Sequence, residues 1–591
     1  MPSSARRPRL SQPAFGPIRK IQAIASTGVG TISGNRISTN HRSRPGRSLR
    51  SISQARPNAI STVSATAPAT KVSVSGRMRE IVADPVLVSR ILPDTLTFVA
   101  GAVALTVLIA FGLAWLIERS DLPGRDLWFV LILFPLIVPT PVLAIAWIFL
   151  MGPNAGWLNL GLRALLGIEG SGPINIFSMT GLIVTQALAS APFVFLLFTA
   201  TLRSMNPAYE EASAMVGASP LTTLRRITLP VLLPGLLAPV ILVTLITFEQ
   251  FELPLIVGLP ARINVFSYRI YTELNPASGL PNYGGAAAIS IPFLLLGMLA
   301  LVAYNWAIRK SDSFVVVTGR SFRQRRIPLG RWRWMAYAFV TAYVGIACII
   351  PAATLAWTSL FGYAPPTPAN LSRFSIDAYV SVMGNATFWR AVGNSLVVAT
   401  LTALITVAVG GLMGWIIARS KLRIRRGLDF LSFMSTGLPS VIVALGIMIL
   451  YLSLPIGLYG TIWILVIAAS YRIAATTRIA RAGLMQIHPE LEEASATAGA
   501  KWLTTQLRIV VPLLIPALLS GFILLFVISM REFTIPLVLY SQDNVVLPVL
   551  LWQLYQGGQP APSAALATFI VVMVLPLIFL ARRFMVPTLK D

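Results

Sequence analysis

From residue 94 onward, long apolar runs alternate with short polar connections that are mostly basic. Eleven runs reach the ~20 residues needed to cross ~30 Å of hydrocarbon: 94–117, 127–151, 177–201, 234–258, 284–308, 335–357, 392–418, 428–453, 459–478, 512–538 and 563–585. None alternates apolar and polar residues strictly, as barrel strands do, so the spans are predicted to be helices. Basic clusters at Arg309–Arg333, Lys421–Arg426, Arg225–Arg226 and Arg582–Arg583 all fall on one side if the spans are threaded in order. By the positive-inside rule that side is cytoplasmic, and the longer connections 152–176, 259–283, 359–391 and 539–562 face outward.

Composition agrees. Over 591 residues the chain is 55% hydrophobic and 12% charged, about half the charged fraction of a soluble domain. The net charge of +26 would suggest nucleic acid as a partner of a soluble protein. Here the charge sits in loops and in the first 93 residues, so a bilayer is expected as partner and nucleic acid is not. Residues 1–93 carry 15 Lys/Arg against Glu80 and Asp84 and hold no span-length run, so they read as a disordered basic tail rich in Ser and Pro. Eleven spans with the basic loops inside would place this tail outside, where positive charge is disfavoured. Three readings follow: a tail that is external, a targeting segment, or a first half that has lost its first span through a misread start. The last fits residues 78–96 best, because they read like an outward loop entering a span.

The chain repeats itself. Glu210–Leu236 (EEASAMVGASPLTTLRRITLPVLLPGL) and Glu492–Leu518 (EEASATAGAKWLTTQLRIVVPLLIPAL) are identical at 16 of 27 positions, ungapped, at an offset of 282. A weaker match pairs AWLIERS at 114–120 with GWIIARS at 414–420, and Asp94-Thr95-Leu96 with Asn394-Ser395-Leu396. Two pseudo-equivalent halves follow. The first span matches the second span of the later half, and 335–357 has no counterpart.

The repeated loop has a physical reading. Asn206-Pro207 and His488-Pro489 are helix starts. Glu210-Glu211 and Glu492-Glu493 then place carboxylates at the positive end of the helix dipole. Ala212 and Ala494 keep the helix thin, and Gly217 and Gly499 stop it in a left-handed turn. Pro230 and Pro512 open the next apolar run. An interfacial anchor would need only amphipathicity. Two copies that retain the glycine, the prolines and the threonine pair imply the same partner surface twice.

E-E-A-S-A-x-x-G-A at 210–218 and 492–500 resembles the EAA loop of binding-protein-dependent ABC importer permeases. The resemblance covers about residues 78–591. It implies an all-α integral membrane protein: two pseudo-symmetric type I importer permease bundles of about 11 transmembrane helices, five plus six, after the disordered tail. It further implies a first half at 94–308 with coupling helix 207–217, a basic linker at 309–334, and a second half at 335–591 with coupling helix 489–499. The expected partners are two copies of an ABC ATPase subunit, which would grip Glu210, Glu211, Ala212, Gly217, Glu492, Glu493, Ala494 and Gly499, and an extracytoplasmic solute-binding protein. No cofactor is expected on this chain; ATP–Mg belongs to the ATPase subunits. The expected site is a bacterial inner membrane. GPNAGWLN (152–159), FEQFELPLIVGLP (248–260), NVFSYRIY (264–271) and REFTIPLVLYSQDNVVLPVLLWQLYQGG (531–558) are similar to ferric-iron permeases. Thiamine, polyamine and phosphonate permeases are the alternatives.

No G-x-x-x-x-G-K-[ST] loop occurs. The histidines, His41 and His488, form no metal cluster with the lone Cys348, and no nucleophile–base arrangement is evident. A transport subunit rather than an enzyme is expected. The remaining signal is charge within apolar runs: Glu249, Glu252, Arg472, Arg531 and Glu532. Such charge is costly and is usually paired or turned to a cavity. A Glu249–Arg531 pair across the pseudo-two-fold axis and a lining of the translocation path both fit. Pro135, Pro139, Pro141 and Pro439 predict helix breaks. An ion-driven secondary transporter would need mid-membrane acids in both halves and no twin loops, and a membrane receptor or scaffold would not need the loops either.

Overall fold

The computed structural model describes residues 87–206, 208–276, 278–311, 328–454 and 457–585. The tail lies almost wholly outside these, as do Pro207, linker residues 312–327 and the side chains of Arg582 and Arg583. Among the described residues all regular structure is helical.

The first half runs through α1 (Leu92–Arg119), α2 (Arg125–Leu133), α3 (Thr140–Met151), α4 (Met179–Ser204), the short α5 (Ala208–Met215), α6 (Leu229–Glu249), α7 (Phe266–Leu274) and α8 (Tyr283–Ser311). A link of α9 (Arg333–Val344) and α10 (Ile350–Phe361) follows. The second half then repeats the order: α11 (Ala386–Arg419), α12 (Arg425–Met434), α13 (Ser440–Ser453), α14 (Ile462–Ala469), α15 (Ile473–Gln486), the short α16 (Glu490–Thr497), α17 (Val511–Met530), α18 (Leu547–Gln556) and α19 (Pro560–Met585).

Seven helices are long and apolar enough to span a bilayer unbroken, and three more spans are bent pairs. With α19, whose apolar part is shorter, every expected run has its helix. The bends lie where proline demands them. Pro139 and Pro439 sit in extended backbone just before α3 and α13. There α2 and α3 meet at 100°, and α12 and α13 at 107°. Proline removes a donor and disfavours helix in the residue before it, so the i→i−4 ladder cannot pass through.

Equivalent helices make equivalent contacts: α1 packs on α4 and α6, α11 on α15 and α17. The outer ends are tied down alike. Asp94 accepts the Asn264 amide at 3.0 Å and Thr95 that of Phe266 at 3.3 Å, seating the start of α7. Asn394 donates to the carbonyls of Asp543 and Val545, each at 2.9 Å, and Ser395 accepts the Leu547 amide at 2.9 Å, seating α18. The match of Asp94-Thr95 with Asn394-Ser395 is therefore one docking device used twice. The two seated helices cross over, α7 against α13 and α18 against α3, which interlocks the halves.

The α9–α10 span has no counterpart among the described residues. It lies against α2, α3 and α19, and Tyr343 donates to the Leu188 carbonyl at 3.2 Å. Trp147 of α3 donates to the Ile346 carbonyl at 3.0 Å.

Candidate functional site

The repeated loops form two short helices, α5 and α16, of eight residues each. The side chain of Asn206 accepts the Ala208 amide at 3.0 Å, a local cap at the start of α5. His488 serves only through its carbonyl, which accepts the Leu491 amide. Both helices stop in the same way. The Gly217 amide bonds the Ala214 carbonyl and the Ala218 amide that of Ser213; Gly499 and Ala500 repeat this with Ala496 and Ser495. Gly217 has φ +79° and Gly499 φ +82°, the left-handed geometry that a side chain disfavours.

The four loop carboxylates divide into two kinds. Glu211 and Glu493 are exposed, as are Ala212 and Ala494. Glu210 and Glu492 turn back toward the bundle. Glu210 pairs with Arg119 at the end of α1 (3.3 Å) and accepts the Thr228 hydroxyl at 2.8 Å. Glu492 pairs with Arg419 at the end of α11 (3.1 Å) and accepts the Gln506 amide at 3.1 Å. Of the four carboxylates expected at the ATPase face, Glu210 and Glu492 are thus each paired inside the chain, and Glu211 and Glu493 stay exposed. Residues 210 and 211 differ by ~100° around a helix, and residue 210 is the one turned to the bundle. Sequence reasoning missed Arg119 and Arg419. Their signal was present, because both fall at equivalent positions in the AWLIERS/GWIIARS match.

Two further links recur. Ser213 and Thr223 share a hydrogen bond of 2.8 Å, as do Ser495 and Thr505. The first half adds a pair that the second lacks. Arg203 donates twice to the nearly buried Glu118, at 3.0 and 2.8 Å. The equivalent positions hold Ala418 and Met485.

The charges expected inside apolar runs fall at helix ends and breaks instead. Glu249 is the last residue of α6, and Glu252 lies past it. Arg472 precedes α15 at a 53° bend from α14. Arg531 and Glu532 follow the end of α17. Broken helices leave carbonyls without partners, and charged side chains can satisfy them: Arg531 donates to the Leu136 carbonyl at the α2–α3 break, bridging the two halves. Arg472 pairs with Glu532 and donates to Ser440 at 2.9 Å. The expected Glu249–Arg531 ion pair does not form; Arg472 pairs with Glu532 and Arg531 bonds the Leu136 carbonyl instead. At 1.5 Å per residue along α6 this cluster lies about 30 Å from the short helices.

Two pseudo-equivalent helical bundles, interlocked at one end and each offering an acidic helix at the other, define a membrane permease fused from two halves. The chain belongs to the family described as binding-protein-dependent transport system inner membrane component, which matches residues 107–312 and 407–586. It is therefore an ABC importer permease and a multi-pass inner-membrane protein. Among its relatives, the ferric transport system permease protein FbpB of Actinobacillus pleuropneumoniae is 24% identical over 498 residues, covering 83% of this chain and 70% of that protein. The probable ABC transporter permease protein y4fN of Sinorhizobium fredii is 26% identical over 503 residues, covering 82% and 86%. A putative 2-aminoethylphosphonate transport system permease protein, PhnV of Salmonella typhimurium, is 26% identical over 213 residues, covering 36% and 80%.

Proposed function

We propose that this chain is the transmembrane permease subunit of an importer for ferric iron, delivered by an extracytoplasmic binding protein and driven by two ATPase subunits. The observation that carries the reading is the identical construction of α5 and α16. Both expose a carboxylate and an alanine, Glu211 and Ala212, Glu493 and Ala494, and both stop at a left-handed glycine. Two equal handles fit two equal motor subunits.

In the proposed cycle the ATPase subunits close on ATP–Mg, draw the handles together and rock one half against the other. Hydrolysis restores the inward-facing state. The cluster of Glu249, Glu252, Arg472, Arg531 and Glu532 lies where the halves meet, so its cross-half contacts must rearrange as the outer end opens. Iron as cargo is supported by the ferric-transport relatives. The described residues hold no group of three or more His, Cys, Asp or Glu placed to hold a metal ion, so iron is read as cargo in transit.

The test is uptake into vesicles containing the chain and its ATPase subunits, with the binding protein added, using ferric iron, thiamine, a polyamine and a phosphonate. Iron uptake that requires both ATP and binding protein is expected. Uptake of another solute alone would reassign the cargo. Uptake abolished by a proton uncoupler and indifferent to the ATPase would overturn the importer cycle.

A further inference from the structure

We infer that Arg119 and Arg419 are the force-transmitting residues of the transporter, each linking its ATPase-facing helix to three membrane spans; this rests on the importer reading above. The short helices are poorly attached by apolar contact. Ser213 is the one buried residue of α5, and α16 has none. An eight-residue helix is also marginal on its own. A push on such a helix reaches the bundle through the backbone and through polar links, and an arginine–glutamate pair and a serine–threonine bond occur in both halves.

Each arginine is the hub of those links. Arg119 ends α1, donates to the Leu202 carbonyl of α4 at 2.9 Å, and holds Glu210. Glu210 in turn holds Thr228, in the turn that leads into α6. Arg419 ends α11, donates to the Leu484 carbonyl of α15 at 3.0 Å and to the Ile487 carbonyl, and holds Glu492. Glu492 holds Gln506, in the turn that leads into α17, and Gln506 accepts the Trp415 indole of α11 at 3.0 Å. The guanidinium suits this task because its planar fork can serve a carboxylate and carbonyls at once. The carbonyls it takes lie at helix C-termini, where a cation is favoured. Removing the arginine would leave the helix docked to its motor but slack against the spans. Arg119 and Arg419 are therefore positioning residues, and Glu211 and Glu493 remain the outward-facing ones.

The second half gives the cleaner test, because Arg419 keeps 17% of its side-chain exposure whereas Arg119 has none. The full chain with its ATPase subunits is reconstituted with the binding protein, and solute moved per ATP hydrolysed is read beside the amount of ATPase co-purified. Arg419→Ala is expected to lower the transport ratio by about tenfold, within the range seen for residues along coupling networks, with ATPase still bound. Glu492→Gln keeps the shape and loses the charge, and is expected to lower the ratio in the same direction by less. Arg419→Lys is expected to recover part of it, since charge returns without the fork. A wild-type ratio in both Arg419→Ala and Glu492→Gln would overturn the inference. If Arg419→Ala fails to assemble, Glu492→Gln alone decides in the same way. A wild-type complex that binds no ATPase would instead defeat the importer reading, which separates the two failures.

Discussion

The two halves share a repeat yet live in different surroundings, and the broken spans show it most clearly. In α3 every residue from Pro141 to Met151 is buried, and Trp147 is 0% exposed. In its counterpart α13 the buried residues are Val441, Ala444, Leu445 and Met448, and Leu450 and Leu452 lie open. α10 and the helix Trp157–Leu166 both pack on α3, whereas α13 meets α7, α8 and α14. At the other end the halves differ in kind: Arg119 is fully buried and the Glu118–Arg203 pair is added, whereas Arg419 holds two carbonyls and Gln506 takes the Trp415 indole. A duplicated sequence therefore yields two handles of one design on mountings that are unequally buried. Internal symmetry predicts what each half does, and packing decides how firmly it is held.

The largest difference between the halves is expected at the hubs. Arg119→Ala should cost about 3–5 kcal/mol, because it strands a carboxylate in a site with little water. Arg419→Ala should cost about 1–2 kcal/mol, because its site is open enough for water to replace part of the lost bonding. Thermal aggregation in detergent measures both, and equal losses would refute the unequal mountings. Next, Trp147→Phe removes the bond to the Ile346 carbonyl and leaves a void, for about 2 kcal/mol. Substitution of the corresponding Ile447, which is only partly buried, by Val should cost less than about 1 kcal/mol. The same melting assay compares them.

Two smaller effects should be equal in the halves. Gly217→Val and Gly499→Val each place a β-branched residue at positive φ, at a strain of about 1–2 kcal/mol. An added Cβ meets nothing within 4 Å at either glycine, so the strain is in the backbone alone. Each should cut transport by about tenfold with normal membrane insertion, read by vesicle uptake and by abundance in membranes. Retained uptake in one variant alone would show that the two loops are not used alike. Smallest, Ser213→Ala and Ser495→Ala each remove one hydroxyl pair, for about 1 kcal/mol. Hydrogen exchange of α5 and α16 should rise by the same factor in both.

Much of this molecule was legible in the residues. The spans follow from apolar run length, because a bilayer admits few alternatives. The breaks at Pro139 and Pro439 follow from proline chemistry, and the helix stops at Gly217 and Gly499 from the left-handed turn each one makes. The duplication could be read directly, since retained identities at a constant offset need no geometry. Other features could not be read this way. Helical periodicity places Glu210 and Glu211 on different faces but does not say which face meets Arg119, a residue 91 positions away. Likewise, Glu249 and Arg531 are equivalent in the repeat, which suggested a pair. Only the packed structure set Arg472 against Glu532 and Arg531 against the Leu136 carbonyl.

By itself, then, the sequence determined the spans, their order, the twin loops and the local geometry of each turn, because these depend on forces acting within about a helix turn or against the bilayer. The tertiary structure alone decided which charge meets which, which half is buried and which arginines hold the loops. Those outcomes depend on residues far apart in the chain being brought within about 3 Å of each other, and no local pattern encodes such a meeting.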